Sequence, residues 1–108
     1  MARITITPPG LPTVDVDAID QDLEFDYLGT DRKVTRRLVT VHRATGHQAL
    51  DGTIELEDIR GYCHLRKMAR TFRVERVSNV VTVDGEVVSD LTAWILGLAN
   101  GDGSRTGA

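Results

Sequence analysis

RGYCHLRKMARTFRVERV, residues 60–77, is the stretch from which the fold is read. It reads as two strands joined by a tight basic turn. Alternate side chains of a strand point to opposite faces of a sheet. Ile59, Gly61, Cys63 and Leu65 therefore share one face of the first strand, and Arg60, Tyr62, His64 and Arg66 the other. In the second strand Phe72 and Val74 share one face, and Thr71, Arg73 and Glu75 the other. A turn centred on Lys67-Met68 sets Cys63 opposite Phe72 and Gly61 opposite Val74. On the reverse face it sets Tyr62 opposite Arg73, His64 opposite Thr71 and Arg60 opposite Glu75. A one-residue slip would exchange the two faces, so burial should hold the register. The apolar face belongs to a core. The reverse face, with a tyrosine, a histidine and several arginines, is the candidate site.

Downstream, Ser78-Asn79 marks a break, Val80 to Val83 is β-rich and Asp84-Gly85 is a turn signal. Ser89 is the expected N-cap of a helix, with Asp90 in its first turn. Leu91, Trp94, Ile95 and Leu98 follow the helical i, i+3, i+4, i+7 rule. Asn100-Gly101 is the expected stop, and residues 100–108 an expected disordered tail. Upstream, Leu23, Phe25 and Tyr27 alternate with Glu24 and Asp26 as a half-buried strand. Gly29 to Lys33 reads as a turn. Val34 to Arg43 reads as a longer strand with Val39 and Val41 on one face and Leu38 on the other, and Arg36, Arg37 and Arg43 belong to the basic segment. Ala44 to Asp51 reads as a loop, and Thr53 to Asp58 as either a strand or an extended lead into the hairpin. At the N-terminus RITIT (residues 3–7) is a short strand that the prolines at 8, 9 and 12 should stop. Val14 to Asp22 reads as an acidic linker or surface arm. Residues 1–22 are thus a strand and arm, and residues 23–99 the folded unit. About five strands and one helix result, and curling into a small barrel would cover the sheet edges.

At 108 residues the chain fits one domain. No apolar run is long enough to cross a bilayer, and the N-terminus lacks the apolar core of a signal peptide. The lone Cys63 forms no internal disulfide. A cytoplasmic chain without a membrane partner is expected. The net charge of −3 hides an asymmetry. Residues 1–31 hold one basic and seven acidic residues, residues 32–76 eleven basic and five acidic, and residues 77–108 one basic and four acidic. One reading is a solvated surface that pairs internally. The other is a basic sheet that attracts anions.

Gly61-Tyr62-Cys63-His64-Leu65, followed by Arg70-Thr71-Phe72-Arg73-Val74-Glu75-Arg76-Val77, resembles the core of a WYL domain. The Arg-x-Phe-Arg-hydrophobic-acidic-Arg-hydrophobic pattern is matched throughout residues 70–77. The Trp-Tyr-Leu run is matched at Tyr62 alone, with Gly61 in place of the Trp and Cys63 in place of the Leu. The likeness spans roughly residues 23–94. It implies an Sm-like or SH3-like five-stranded β-barrel, the sensing part of bacterial transcription regulators or defence-associated proteins. It also implies a ligand of nucleic-acid or nucleotide type, contacted by Tyr62, Arg70, Arg73 and Arg76. With no helix-turn-helix ahead of it, such a sensor is expected to act through a protein partner that supplies the output domain, or as a simple binder.

The candidate site is accordingly Tyr62, His64, Arg66, Arg70, Arg73 and Arg76. Arginine forks match phosphate oxygens, and an aromatic ring beside them can stack a base. The competing reading is cross-strand packing of Arg73 on Tyr62 and Glu75. Arg70 falls on the Phe72 side and reaches either past the rim or into the barrel mouth. A partner-binding or oligomeric structural domain, such as a homodimer, with no nucleic-acid affinity is the alternative function. No enzyme is expected, because Cys63 and His64 point to opposite faces and form no nucleophile–base pair. No metal or cofactor is expected either: His42, His47, His64 and one cysteine lack zinc spacing, and no glycine-rich phosphate loop precedes the helix.

Overall fold

The computed structural model describes residues 2–7 and 12–99. The element that organises it is a 15-residue strand, β4 (Val34–Gln48). Along one edge its first half pairs antiparallel with β3 (Gln21–Leu28), and its second half with β2 (Thr13–Asp17). Along its other edge runs β5 (Ile54–Cys63), which in turn pairs with β6 (Met68–Arg73). A 3-10 turn at Val74–Arg76 leads into β7 (Val77–Thr82), which returns to the far edge of β3. β1 (Arg3–Thr7) extends the sheet beyond β2, and β8 (Val87–Val88) extends it beyond β7. One helix, α1 (Leu91–Ala99), follows. The protein is mainly β, with a sheet curled into a half-barrel and one C-terminal helix.

Eight strands stand where about five were expected. Val14 to Asp22, expected as an acidic linker or surface arm, instead supplies most of β2 and the start of β3. Val14 and Val16 are fully buried while Thr13, Asp15 and Asp17 face outward, the alternation of a half-buried strand. The expected loop at Ala44–Asp51 is largely the end of β4. The turn that follows it closes with the Ala49 N–H on the Thr53 carbonyl at 2.8 Å.

Two glycines let β4 and β5 approach each other. A Cβ on Gly61 would lie 2.1 Å from the Thr40 carbonyl oxygen, and one on Gly46 would lie 1.9 Å from that of Glu55. Both sit beside irregularities in the β4–β5 ladder, where bulges bend the strand and increase its twist. The expected break at Ser78-Asn79 is likewise a bulge within β7, with Asn79 at a φ of 52°. Asparagine tolerates that region better than most residues do.

The hairpin keeps its expected faces but not its expected register. Ile59 pairs with Phe72, Arg60 with Thr71, Tyr62 with Ala69 and Cys63 with Met68. The turn is His64–Lys67, closed by the Lys67 N–H on the Cys63 carbonyl at 2.7 Å with Lys67 at a φ of 56°. The slip is four residues, and side-chain alternation is blind to an even slip. Leu65, expected in the core, lies in this turn and is exposed.

Phe25, Phe72, Leu23, Ile59, Val39 and Val41 form the core on the concave face. Ile95 of α1 is fully buried with them. The helix packs against β1, β2 and β5, and Thr92 lies beside Glu55 and Leu56. It therefore covers the end of the sheet remote from the β3–β4 and β5–β6 turns. Its N-cap is Asp90 rather than Ser89: the Asp90 Oδ1 accepts from the Ala93 N–H at 3.0 Å. The expected stop at Asn100-Gly101, the tail and the prolines at 8 and 9 lie outside the described residues.

Gly61→Ala and Gly46→Ala should each lower stability by about 1–3 kcal/mol, because the added methyl meets backbone. Gly97→Ala, on an open helix surface, should raise it by roughly 1 kcal/mol. Urea unfolding midpoints that move in these opposite directions at constant m-value would bear this out.

Candidate anion-binding site

The structure divides the sequence-predicted site residues among four places. Tyr62 and Arg73 do lie on one face, but Tyr62 is opposite Ala69 and Arg73 opposite Asp58. Four residues of strand, about 13 Å, separate them. Tyr62 and His64 form a group on the outer face, with ring centroids 5.1 Å apart and planes at 80°. The Thr40 hydroxyl donates to Asp22 Oδ1 at 2.5 Å, so its oxygen accepts from His64 Nε2 at 2.8 Å. That imidazole therefore acts as a donor toward the hydroxyl.

Arg73 lies in an acidic setting. Its guanidinium is 3.5 Å from Asp58 and 3.8 Å from Glu75. The cleft it lines, of about 320 Å³, carries Glu55, Glu57 and Glu75 as its other charged groups. Arg76 is spent on the fold, donating to the Leu28 carbonyl at 3.2 Å.

Of the four predicted arginines, Arg66 and Arg70 come together. They line a cleft of about 290 Å³ with Tyr27, Lys33 and Arg37, at the end of the sheet where the β3–β4 and β5–β6 turns meet. Arg70 thus reaches the mouth of the half-barrel, and its guanidinium carbon stands 6.0 Å over the Phe72 ring. Tyr27 packs edge-on against Phe72 at 4.9 Å, and its hydroxyl accepts from the Arg73 backbone N–H at 3.2 Å. The ring is therefore fixed, and it ties β3 to the end of β6. The sole carboxylate of the lining, Asp31, accepts from the Lys33 N–H at 3.0 Å within its own turn.

Arg37 was not singled out as a site residue, and it is the most informative member. It is 6% exposed, the one buried charged side chain among the described residues. Nε donates to the Thr35 hydroxyl at 2.9 Å, and Nη1 to the Cys63 sulfur at 3.7 Å. No carboxylate of the described residues lies within ion-pairing distance. Burial pushes the Cys63 thiol up. Hydrogen bonds from the Arg66 backbone, the Arg37 guanidinium and the Leu65 backbone oppose this and prevail, so the thiol sits below its ordinary value. A buried cation without a counter-ion is costly, and one that lines an open cleft is a place for an anion. The signal was present in the alternation of β4, because residue 37 shares the parity of Val39 and Val41 and so points inward with them.

Its neighbour Arg36 shows the opposite outcome. It points outward, meeting Glu24 Oε2 at 2.9 Å, Asp26 Oδ1 at 3.0 Å and the Asn79 carbonyl at 2.8 Å. The Asn79 side-chain amide, then Arg36, hold the Asp26 carboxyl below its ordinary value. A depressed carboxylate contributes stability that is present above its unfolded-state value and lost as pH falls through the folded one. The loss should therefore fall below about pH 4. Asp26→Asn should lower stability near neutrality and flatten its pH dependence below about pH 4, as read by denaturant unfolding at a series of pH values.

Among the described residues no group of three or more His, Cys, Asp and Glu is placed to hold a metal ion. No helix of the described residues is long and apolar enough to cross a membrane. No protein-family model, curated protein or solved structure matches this chain.

Proposed function

We propose that the chain is a non-enzymatic binding domain for a phosphate-bearing ligand, single-stranded nucleic acid or a nucleotide, received in the cleft lined by Lys33, Arg37, Arg66 and Arg70. The observation that carries this reading is the buried Arg37 guanidinium without a carboxylate partner. An entering phosphate supplies the missing counter-charge and accepts from arginine forks in pairs. Four basic groups and one engaged carboxylate line the cleft, and such a concentration also steers anions toward it.

The likeness of residues 60–77 to a WYL domain belongs to the same proposal. The five consecutive strands β3 to β7 support it: β3, β4 and β5 each pair with the strand that follows, and after the 3-10 turn β7 returns to β3. A small Sm-like or SH3-like barrel needs such a run. β1, β2 and β8 are then additions at its edges. In this reading the domain senses a ligand in bacterial regulation or defence, and its site lies at the turn end of the hairpin. Tyr62, Arg73 and Arg76 stay outside it.

Binding of a short single-stranded oligonucleotide, followed by fluorescence anisotropy at low and moderate salt, tests the proposal. The wild-type protein should bind with a steep salt dependence. Arg66→Ala/Arg70→Ala should lower affinity at least about tenfold and reduce the log–log salt slope by about 1.4. Arg73→Ala/Arg76→Ala should leave both nearly unchanged. A salt-insensitive homodimer without affinity for oligonucleotides or nucleotides would favour the structural alternative and overturn the assignment.

A further inference from the structure

We infer that the cleft reads the end of a ligand: it takes a terminal phosphate monoester, on a nucleic-acid strand or a mononucleotide, in preference to the internal diesters of a strand. The inference rests on the proposed function and narrows it. Three observations carry it.

The first is recess. Arg37 points inward from β4 at the level where the core ends, bonded to Thr35 on the same strand and Cys63 on the next. A phosphate must enter the cleft to reach it. An internal diester carries chain on both sides and would have to bring both into the cleft. At about 290 Å³ the space is at the lower limit for a single small ligand. A monoester carries chain on one side only.

The second is charge. Lys33, Arg37, Arg66 and Arg70 line this one cleft, against the single carboxylate of Asp31. A monoester carries a charge of about −1.5 to −2 at neutral pH and offers three terminal oxygens. A diester carries one charge and offers two. The donors of three arginines outnumber what a diester can accept.

The third concerns the base. The aromatic ring of the lining, Tyr27, is packed edge-on against Phe72 with its hydroxyl already engaged. Among the described residues the lining offers no Asn or Gln side chain to read a base edge. Recognition should therefore depend on the phosphate and little on base identity.

The experiment compares one oligonucleotide sequence in three forms: with a 5′-phosphate, with a 3′-phosphate and with hydroxyls at both ends. A nucleoside 5′-monophosphate, its 3′,5′-cyclic diester and the free nucleoside form a second set. Affinities are read by anisotropy competition and calorimetry. At least one phosphorylated end should bind about tenfold or more tightly than the hydroxyl-ended strand, whatever the terminal base. The monophosphate should likewise exceed the cyclic diester. Arg37→Met keeps an apolar stem in the buried position and should remove the preference. Arg66→Ala/Arg70→Ala tests the same point from exposed positions should that variant fail to fold. Equal, salt-dependent binding of all three strands would overturn end-reading and leave the phosphate-binding proposal standing. A preference that survives in Arg66→Ala/Arg70→Ala would overturn the assignment to this cleft. Absence of binding to every phosphorylated probe would overturn both readings.

Discussion

The alternation of side chains along β4 governs the rest of the structure. The strand is shared by three partners, β3 and β2 along one edge and β5 along the other. Every side chain on it is thereby assigned to the concave core or to the convex surface. Val39, Val41 and Ala44 go inward and are buried. The same rule acts on two adjacent arginines and separates them. Arg36 reaches the convex side, where Glu24 and Asp26 of β3 meet it. Arg37 is carried inward with the valines, to a position where β5 has ended and the core opens. One step along the chain thus separates a surface ion pair from a buried cation.

The segregation of charge in the sequence acquires a spatial meaning through this pairing. The acidic first third lies in β2, β3 and the segment between them, beside the basic β4. Asp15 meets Arg43, Asp20 meets His42, and Glu24 and Asp26 meet Arg36. Exposed pairs of this kind contribute little stability, but they set acidic groups against basic ones along β4. Internal pairing is therefore realised on the outer face, while basic residues gather apart from it in one cleft. In an antiparallel run alternate turns fall at the same end, which brings the β3–β4 and β5–β6 turns together. Lys33 from the first turn and Arg66 from the second join Arg37 and Arg70 there. β3 reaches this end with the uncharged Tyr27 and Leu28, and the Asp31 carboxylate of the turn is engaged by the Lys33 backbone N–H, so the cations of the cleft are left without carboxylate partners among the described residues.

What could be read from the sequence follows from which physical signals are local. Strand faces were legible in β3, the first part of β4 and the hairpin, because period-two alternation is written residue by residue; Phe25, Tyr27, Cys63 and Phe72 face where the pattern put them. The helix was legible from its spacing, although its cap fell on Asp90 and not on Ser89. Register was not legible. A four-residue slip leaves both faces of the hairpin intact, and the choice lies in the turn, where Lys67 adopts a left-handed conformation that its residue type does not announce. The slip separated Tyr62 from Arg73 and removed Leu65 from the core. Residues 13–17 were misread for another reason: three outward polar residues hid two inward valines. Arg37 could have been found. Its parity places it among core residues, and a charge at a core position is the informative exception.

That exception conflicts with the rest of the fold. At the other inward positions of the core local preference and tertiary environment agree, and on the outer face the polar groups of Thr40, His64 and Asp22 satisfy one another. At residue 37 a neutral hydroxyl and a thiol take the place of a counter-ion. These groups orient the guanidinium without neutralising it, and a long apolar side chain would fill the same space at lower desolvation cost. Sequences that fold cleanly tend to violate their own rules where function requires it. The fold tolerates the conflict because the cleft opens to solvent at that point. Arg37 thus keeps a fixed direction and an incomplete set of partners, the condition in which an incoming anion gains most from binding.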